Sequence, residues 1–356
     1  MHQCQPLQSN TLIELGKFLQ AALSDNQNQI KPILRPFFDE TIKAMDESIY
    51  ENPWFTPQMV RYCFSAWAKT LQKEHVEQWF ELENLPAPIA QPDKTVAVIM
   101  AGNLPLVGFH DMICVLASGK KLLAKLSSSD KKLPTLFCNI LTCIQPGLKP
   151  LIHLTEDKIS GFDAVIATGS DNTSRYFDYY FGKYPNIIRK NRNSIAVLTG
   201  NESPEQLNAL ADDIFIYYGL GCRNVSMLFV PEGFHFPSLF PSFDHYAHLA
   251  DLHKYANNYD FYKSIFLINK IPHLDNGFML MTPNDAIASA VSVIHYQYYK
   301  NISEVNSFIE SHQDKIQCVV SSANLACNTI AFGQTQLPSL SDYADGVNTL
   351  DFLKSI

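Results

Sequence analysis

The hydrophobic rhythm of the chain changes near residue 95. Upstream, apolar positions recur at helical spacing and predict helices over Thr11 to Ser24, Lys31 to Tyr50 and Pro57 to Leu82. A proline-bearing connector, Leu85-Pro86-Ala87-Pro88 through Pro92, ends this helical prelude. From Thr95 short apolar runs alternate with amphipathic ones. Strands are predicted at Val96 to Met100, Lys121 to Leu126, Leu151 to Leu154, Phe162 to Ala167, near Ile187 and at Ser194 to Leu198. The helices between them cover Leu104 to Ser118, Asp130 to Ile144 and Asn172 to Phe181. Continuously apolar strands separated by helices indicate βαβ units around a parallel sheet covered on both faces. The fold class is α/β.

The next helix carries its own start signal. Ser203, Pro204 and Gln206 form a capping box, and Leu207, Leu210, Ala211, Ile214 and Tyr218 follow at helical spacing up to a glycine stop, Gly219. A strand from Val225 to Val230 comes after it. A second α/β region then alternates a helical stretch over Phe243 to Phe266, strands at Phe278 to Met281 and Val293 to Tyr298, a helix over Ser303 to His312 and a strand over Ile316 to Val320. Three parts are expected: residues 1–200, residues 201–332, and a turn-rich tail over 333–356.

Composition narrows the class. With 356 residues, 46% of them hydrophobic and 17% charged, the chain can bury a large core. A net charge of -8 argues against a partner held by phosphate contacts, so no nucleic acid is expected. No run approaches the roughly 18 apolar residues of a membrane span, and the N-terminus lacks the apolar core of a signal peptide. The eight cysteines are scattered, without disulfide-scaffold density or metal-ligand pairing, which suits a reducing cytoplasm and predicts no metal.

Four places carry candidate chemistry. Cys222 sits in Gly219-Leu220-Gly221-Cys222-Arg223-Asn224, between a helix and a strand, where flanking glycines give a substrate close access. It reads either as a nucleophile or as a small buried hydrophobe. Thr168-Gly169-Ser170 ends a strand at a helix N-terminus, suited to an anion and equally to a tight capped turn. Asn103, in Asn103-Leu104-Pro105-Leu106, reads as a helix N-cap or as an amide donor to an oxyanion. Lys125, at a strand end, reads as a solvated charge or as a contact to a nucleotide's ribose or phosphate.

Taken in this order, these segments resemble the aldehyde dehydrogenase superfamily, and within it the LuxC-type fatty acyl-CoA reductases of bacterial bioluminescence. The resemblance covers roughly Thr95 to Val230, with Phe332-Gly333-Gln334 and Asp342-Tyr343-Ala344-Asp345-Gly346-Val347 in the tail. It implies an aldehyde-dehydrogenase-like fold: a dinucleotide-binding domain within 1–200 and a catalytic domain over 201–332. It also implies roles. Asn103 supplies the oxyanion amide, Lys125, Ser127 and Ser128 contact the adenosine ribose, Thr168, Gly169 and Ser170 receive the cofactor, and Cys222 is the nucleophile.

Two departures from the family pattern sharpen the expectation. The family's hydrolytic glutamate should fall near Arg189-Lys190-Asn191-Arg192-Asn193, where no carboxylate stands, so an acyl group on Cys222 would lack a base to recruit water. Ser128 replaces the glutamate that would hold a ribose diol and repel a 2′-phosphate, which makes NADPH acceptable beside NADH. The resemblance therefore implies NAD(P)H-dependent reduction of an acyl-CoA or acyl-carrier thioester to an aldehyde. A CoA-acylating dehydrogenase of short aldehydes, an acyl-transfer subunit or a silent scaffold would share the same motifs. The chain is shorter than typical superfamily members; a homo-oligomer is compatible with the resemblance. A free thiol titrates near about 8.5, so a nucleophilic Cys222 requires help, for which Arg223 is a candidate, and His110 reads as a packed residue.

Overall fold

A computed structural model describes residues 4–86, 93–169 and 171–356, with side chains left out of the description over 171–175. The chain divides into two compact units: residues 1–190 with 338–356, and residues 191–337. The division falls ten residues before the expected boundary at 200, so the strand predicted at Ser194 opens the second unit. The last 19 residues are not a separate tail but part of the first unit.

The first unit begins with helices α1 (Ser9–Leu23), α2 (Pro36–Glu47), α3 (Pro57–Thr70) and α4 (Lys73–Leu82). The single helix expected over Pro57 to Leu82 is broken at Leu71, which caps α3 before Gln72 turns extended. Five strands follow: β1 (Thr95–Ile99), β2 (Lys121–Lys125), β3 (Ile152–Thr155), β4 (Ala164–Thr168) and β5 (Asn186–Arg189). They pair in parallel in the order β3-β2-β1-β4-β5. Helices α5 (Phe109–Ala117), α6 (Lys132–Ile144) and α7 (Asp171–Phe181) connect them.

Alternation along the strands decides what covers each face. Ala97, Val165 and Ala167 pack with Phe162, Phe177 and Phe181, the last two from α7. The other face meets α5, whose Phe109, Met112, Ile113, Val115 and Leu116 are completely buried. Helix α5 starts five residues later than the hydrophobic pattern suggests, because residues 104–108 form a turn rather than a first helical turn.

The second unit holds β6 (Asn193–Val197), α8 (Pro204–Phe215), β7 (Val225–Pro231), α9 (Phe240–Phe243), α10 (His253–Ile268), β8 (Leu274–Asp275), β9 (Leu280–Pro283), β10 (Val293–Tyr299), α11 (Ile302–Ser311) and β11 (Ile316–Ser321). Its sheet runs β11-β6-β7-β10-β9-β8, parallel except for the antiparallel β8–β9 pair. Ile195, Val197, Met227 and Phe229 of the central strands pack on Val305 and Ile309 of α11. The capping box is formed as its spacing predicts: the Ser203 hydroxyl accepts the Gln206 N–H, and the Gln206 side chain accepts the Ser203 N–H at 2.9 Å.

After residue 337 the chain returns to the first unit and ends in α12 (Thr349–Lys354). The Tyr343 hydroxyl donates to Glu83 Oε1 at 2.8 Å and accepts from Trp79 Nε1 at 3.0 Å. Asn348 caps α12 through the N–H groups of Leu350 and Asp351 and also donates to Glu83. These bonds give the Asp342-to-Gly346 motif its local job: Tyr343 closes a polar contact at the end of α4. No helix among the described residues is long and apolar enough to cross a membrane.

Candidate active site

In the first unit the turns after β1, β2 and β4 leave the same edge of the sheet. Strand order grows from β1 to β2 and β3 on one side and from β4 to β5 on the other, so connections reverse between β1 and β4. Open parallel sheets hold nucleotides in the crevice outside the strand ends at such a reversal. Asn103 lies exposed in the turn leaving β1; in the turn leaving β2, Ser127 is half-buried and Ser128 exposed. Thr168 ends β4 and is half-buried, as is Gly169; Ser170 lies outside the described residues.

Asn103 is not a helix cap. Gly108 occupies the N-cap position of α5, and the 103–106 turn is held by other groups. Asn52 Nδ2 donates to the carbonyls of Gly102 at 3.2 Å and Ser129 at 3.4 Å. Asp130 Oδ2 accepts the Leu106 N–H at 2.7 Å, where Leu106 adopts φ 61°. A Cβ on Gly102 would stand 2.2 Å from Ser127 Oγ, so the close approach of the β1 and β2 turns requires glycine. Burial pushes the Asp130 carboxyl up to about 7, against the opposing hydrogen bonds from the Leu106 and Leu133 N–H groups.

Lys125 is tethered rather than simply solvated. Its Nζ donates to the Glu156 carbonyl at 2.6 Å, and the Glu156 carboxylate pairs with Lys131 at 3.3 Å. His110 packs as the sequence suggests: its Nε2 lies 2.9 Å from the Leu340 carbonyl, its ring meets Tyr343, and burial lowers its pKa. Arg189, in the segment where the family's glutamate would fall, is buried and ion-paired with Asp111.

In the second unit Cys222 occupies a four-residue turn, Gly221 to Asn224, closed by the Asn224 N–H on the Gly221 carbonyl at 3.0 Å. Among the described residues it is the exposed cysteine; Cys63, Cys114, Cys138 and Cys318 are buried and Cys4, Cys143 and Cys327 intermediate. The buried-hydrophobe reading of Cys222 therefore fails. Helix α8 stops at Phe215, short of the expected Gly219, and Tyr217, Tyr218 and Gly219 follow with φ of 58°, 59° and 74°. Two consecutive tyrosines in the left-handed region store strain, and Gly219 extends the run to three residues before the thiol.

Several side chains of the same unit hold this turn. Ser194 Oγ donates to the Cys222 carbonyl at 3.0 Å. Arg223 Nε donates to the Thr335 carbonyl, so Arg223 works as a tether of the loop. Asp213, 1% exposed, accepts from the N–H groups of Gly333 at 2.7 Å and Thr335 at 3.0 Å and from the Thr335 hydroxyl at 2.8 Å. Sequence reading missed Asn52, Asp130, Asp213 and Asn224. Asn52, Asp130 and Asp213 serve backbone groups in distant turns, and Asn224 serves its own turn and the end of α8, so residue spacing alone marks none of them.

No protein-family model matches the chain, and no curated protein matches it in sequence. Solved structures do match in fold. Aldehyde dehydrogenase 21 from Physcomitrella patens, in complex with succinate, superposes with TM-score 0.59 at 12% identity, over 89% of this chain and 79% of that one. A putative aldehyde dehydrogenase from Burkholderia cenocepacia gives 0.61 at 13%, over 89% and 75%. An NADP dependent enzyme of E. coli gives 0.62 at 11%, over 88% and 74%. The fold of this chain is the aldehyde dehydrogenase fold.

Proposed function

We propose that the protein is an NAD(P)H-dependent acyl thioester reductase that forms a covalent acyl intermediate on Cys222. The observation that carries this reading is an exposed thiol in a clamped turn that begins one residue beyond a left-handed run, Tyr217 to Gly219. The Cys222 thiolate attacks the thioester carbonyl carbon, and the Asn103 amide and the Cys222 N–H are the proposed donors to the oxyanion. The tetrahedral adduct collapses by breaking the bond to the CoA or carrier sulfur, which leaves as a thiol after protonation. An acyl-enzyme thioester remains.

The carboxyl edge of the first sheet fits a nicotinamide dinucleotide: an amide, hydroxyls and small residues surround the strand-order reversal, with no carboxylate at Ser127, Ser128 or Ser129. When bound, the cofactor supplies a hydride to the acyl carbon. Lys125, Ser127, Ser128, Thr168, Gly169 and Ser170 are the proposed binding residues, and NADPH the preferred form. The hemithioacetal on Cys222 then releases aldehyde and regenerates the thiolate. The segment Arg189 to Asn193, near which the family's glutamate would fall, holds no carboxylate, and its Arg189 is paired with Asp111, so it offers no base for hydrolysis.

The test is acylation with radioactive acyl-CoA, followed by hydroxylamine. The reading requires a hydroxylamine-sensitive adduct on the wild type that Cys222→Ala abolishes, together with NADPH consumption across acyl-CoA lengths run beside NADH. An adduct without NAD(P)H consumption indicates acyl transfer; no adduct indicates a scaffold; activity confined to short acyl groups indicates a CoA-acylating dehydrogenase.

A further inference from the structure

We propose that Asn224 is the positioning residue of the Cys222 thiol, its carboxamide setting the thiol's reactivity by closing the turn and satisfying the end of α8. The inference rests on the reading of Cys222 as nucleophile. Asn224 is 1% exposed and uses both ends of its amide. Oδ1 accepts the Gly221 N–H at 2.9 Å, and Nδ2 donates to the carbonyls of Asp213 at 3.3 Å, Ile214 at 3.1 Å and Ile216 at 2.5 Å. One side chain thus ties the last carbonyls of α8 to the turn that holds the thiol.

The chemistry of that position is narrow. It needs an acceptor for one N–H and a donor for three carbonyls, a combination met by a short carboxamide. Helix-end carbonyls carry partial negative charge, which disfavours a thiolate nearby; the Nδ2 protons offset it. An aspartate would keep the acceptor, lose the donor and place a carboxylate two residues from the sulfur. Its charge opposes thiolate formation. Without the amide, the left-handed run at Tyr217 to Gly219 also loses a bond that holds its start, at Ile216.

The experiment follows alkylation of the Cys222 peptide by iodoacetamide from pH 5 to 10, by mass spectrometry, on the full-length protein. Asn224→Asp is expected to move the midpoint up by about one pH unit, which slows alkylation at pH 7 by about tenfold. Asn224→Ser, which stays neutral and leaves the α8 carbonyls without that donor, serves where the aspartate variant does not fold. It is expected to shift the midpoint in the same direction by less and to speed deuterium exchange at the Gly221 amide by at least tenfold. Alkylation profiles that superimpose on the wild type in the folded variants overturn the proposal. Alkylation needs neither thioester nor cofactor, so a missing acyl adduct on the wild type sinks the proposed activity while this result still stands or falls by itself.

Discussion

Arg189 grips Asp111 with both terminal nitrogens of its guanidinium, in a site where the two residues are 5% and 3% exposed. Thr349 of α12 joins them, donating to Asp111 Oδ1 at 3.2 Å and accepting from Arg189 Nη2 at 3.1 Å. Strand β5, helix α5 and the end of the chain thereby share one polar knot inside the first unit. Burial pushes the Asp111 carboxyl up, but the Arg189 charge and hydrogen bonds outweigh it and hold the carboxyl below its ordinary value.

Removing one partner leaves the other charged and unpaired in the core. Asp111→Ala or Arg189→Ala should each cost about 3–5 kcal/mol, seen as a lowered urea midpoint. Because the folded pKa of Asp111 lies below its unfolded value, its contribution is present above about pH 4 and is lost as pH falls through the folded value. Urea midpoints of the wild type should fall in acid, and those of Asp111→Asn should fall less steeply there.

Asp130 predicts the opposite slope. Its folded pKa of about 7 exceeds the unfolded value, so the native state binds the extra proton and stability declines as pH rises from about 4 to 7. Asp130→Asn keeps an acceptor for the Leu106 N–H and removes the buried charge. It should flatten that slope and raise stability above pH 7 by a few kcal/mol, to be read from urea melts across the range. Equal slopes in wild type and variant would contradict the assignment.

Gly102→Ala should force the β1 and β2 turns apart, since the new Cβ would meet Ser127 Oγ at 2.2 Å and its Cβ at 2.8 Å. A cost of about 1–3 kcal/mol is expected, with weaker NADPH binding by fluorescence titration if the proposed cofactor edge is correct. The pair Gly102→Ala with Ser127→Gly should recover most of the stability.

Tyr343→Phe deletes a single hydroxyl, strands Trp79 Nε1 and removes one donor from Glu83, which keeps Asn348 and Lys354. A loss of about 1–3 kcal/mol is expected in thermal unfolding, although every apolar contact of the ring is kept.

The two α/β regions, their strands and the capped helix at Ser203 were legible because each is written within one stretch of chain: continuous apolar runs, a capping box, turn residues between. The turn that holds Cys222 was legible for the same reason, as a short motif between recognisable elements. The turn around Asn103 was misread as a helix start because Pro105 is a good first-turn residue; the bond from Leu106 to Asp130, 24 positions away, holds it otherwise. Asn224 and Asp213 escaped notice because a polar residue beyond a helix or in its last turn looks solvated until the carbonyls and N–H groups it serves are folded against it. The unit boundary was displaced for a similar reason, since strand β6 belongs to the sheet it pairs with and not to the strands before it.

The return of residues 338–356 has a consequence for the order of assembly. As the chain leaves the ribosome, all of residues 191–337 emerge before Tyr343 and Thr349 exist to fasten onto Glu83, Trp79 and Asp111. The first unit therefore completes these bonds only after the whole of the inserted unit has been synthesised. Cutting the chain before Tyr343 would spare every bond of the thiol's loop yet leave Trp79, Arg189 and Asp111 without these partners.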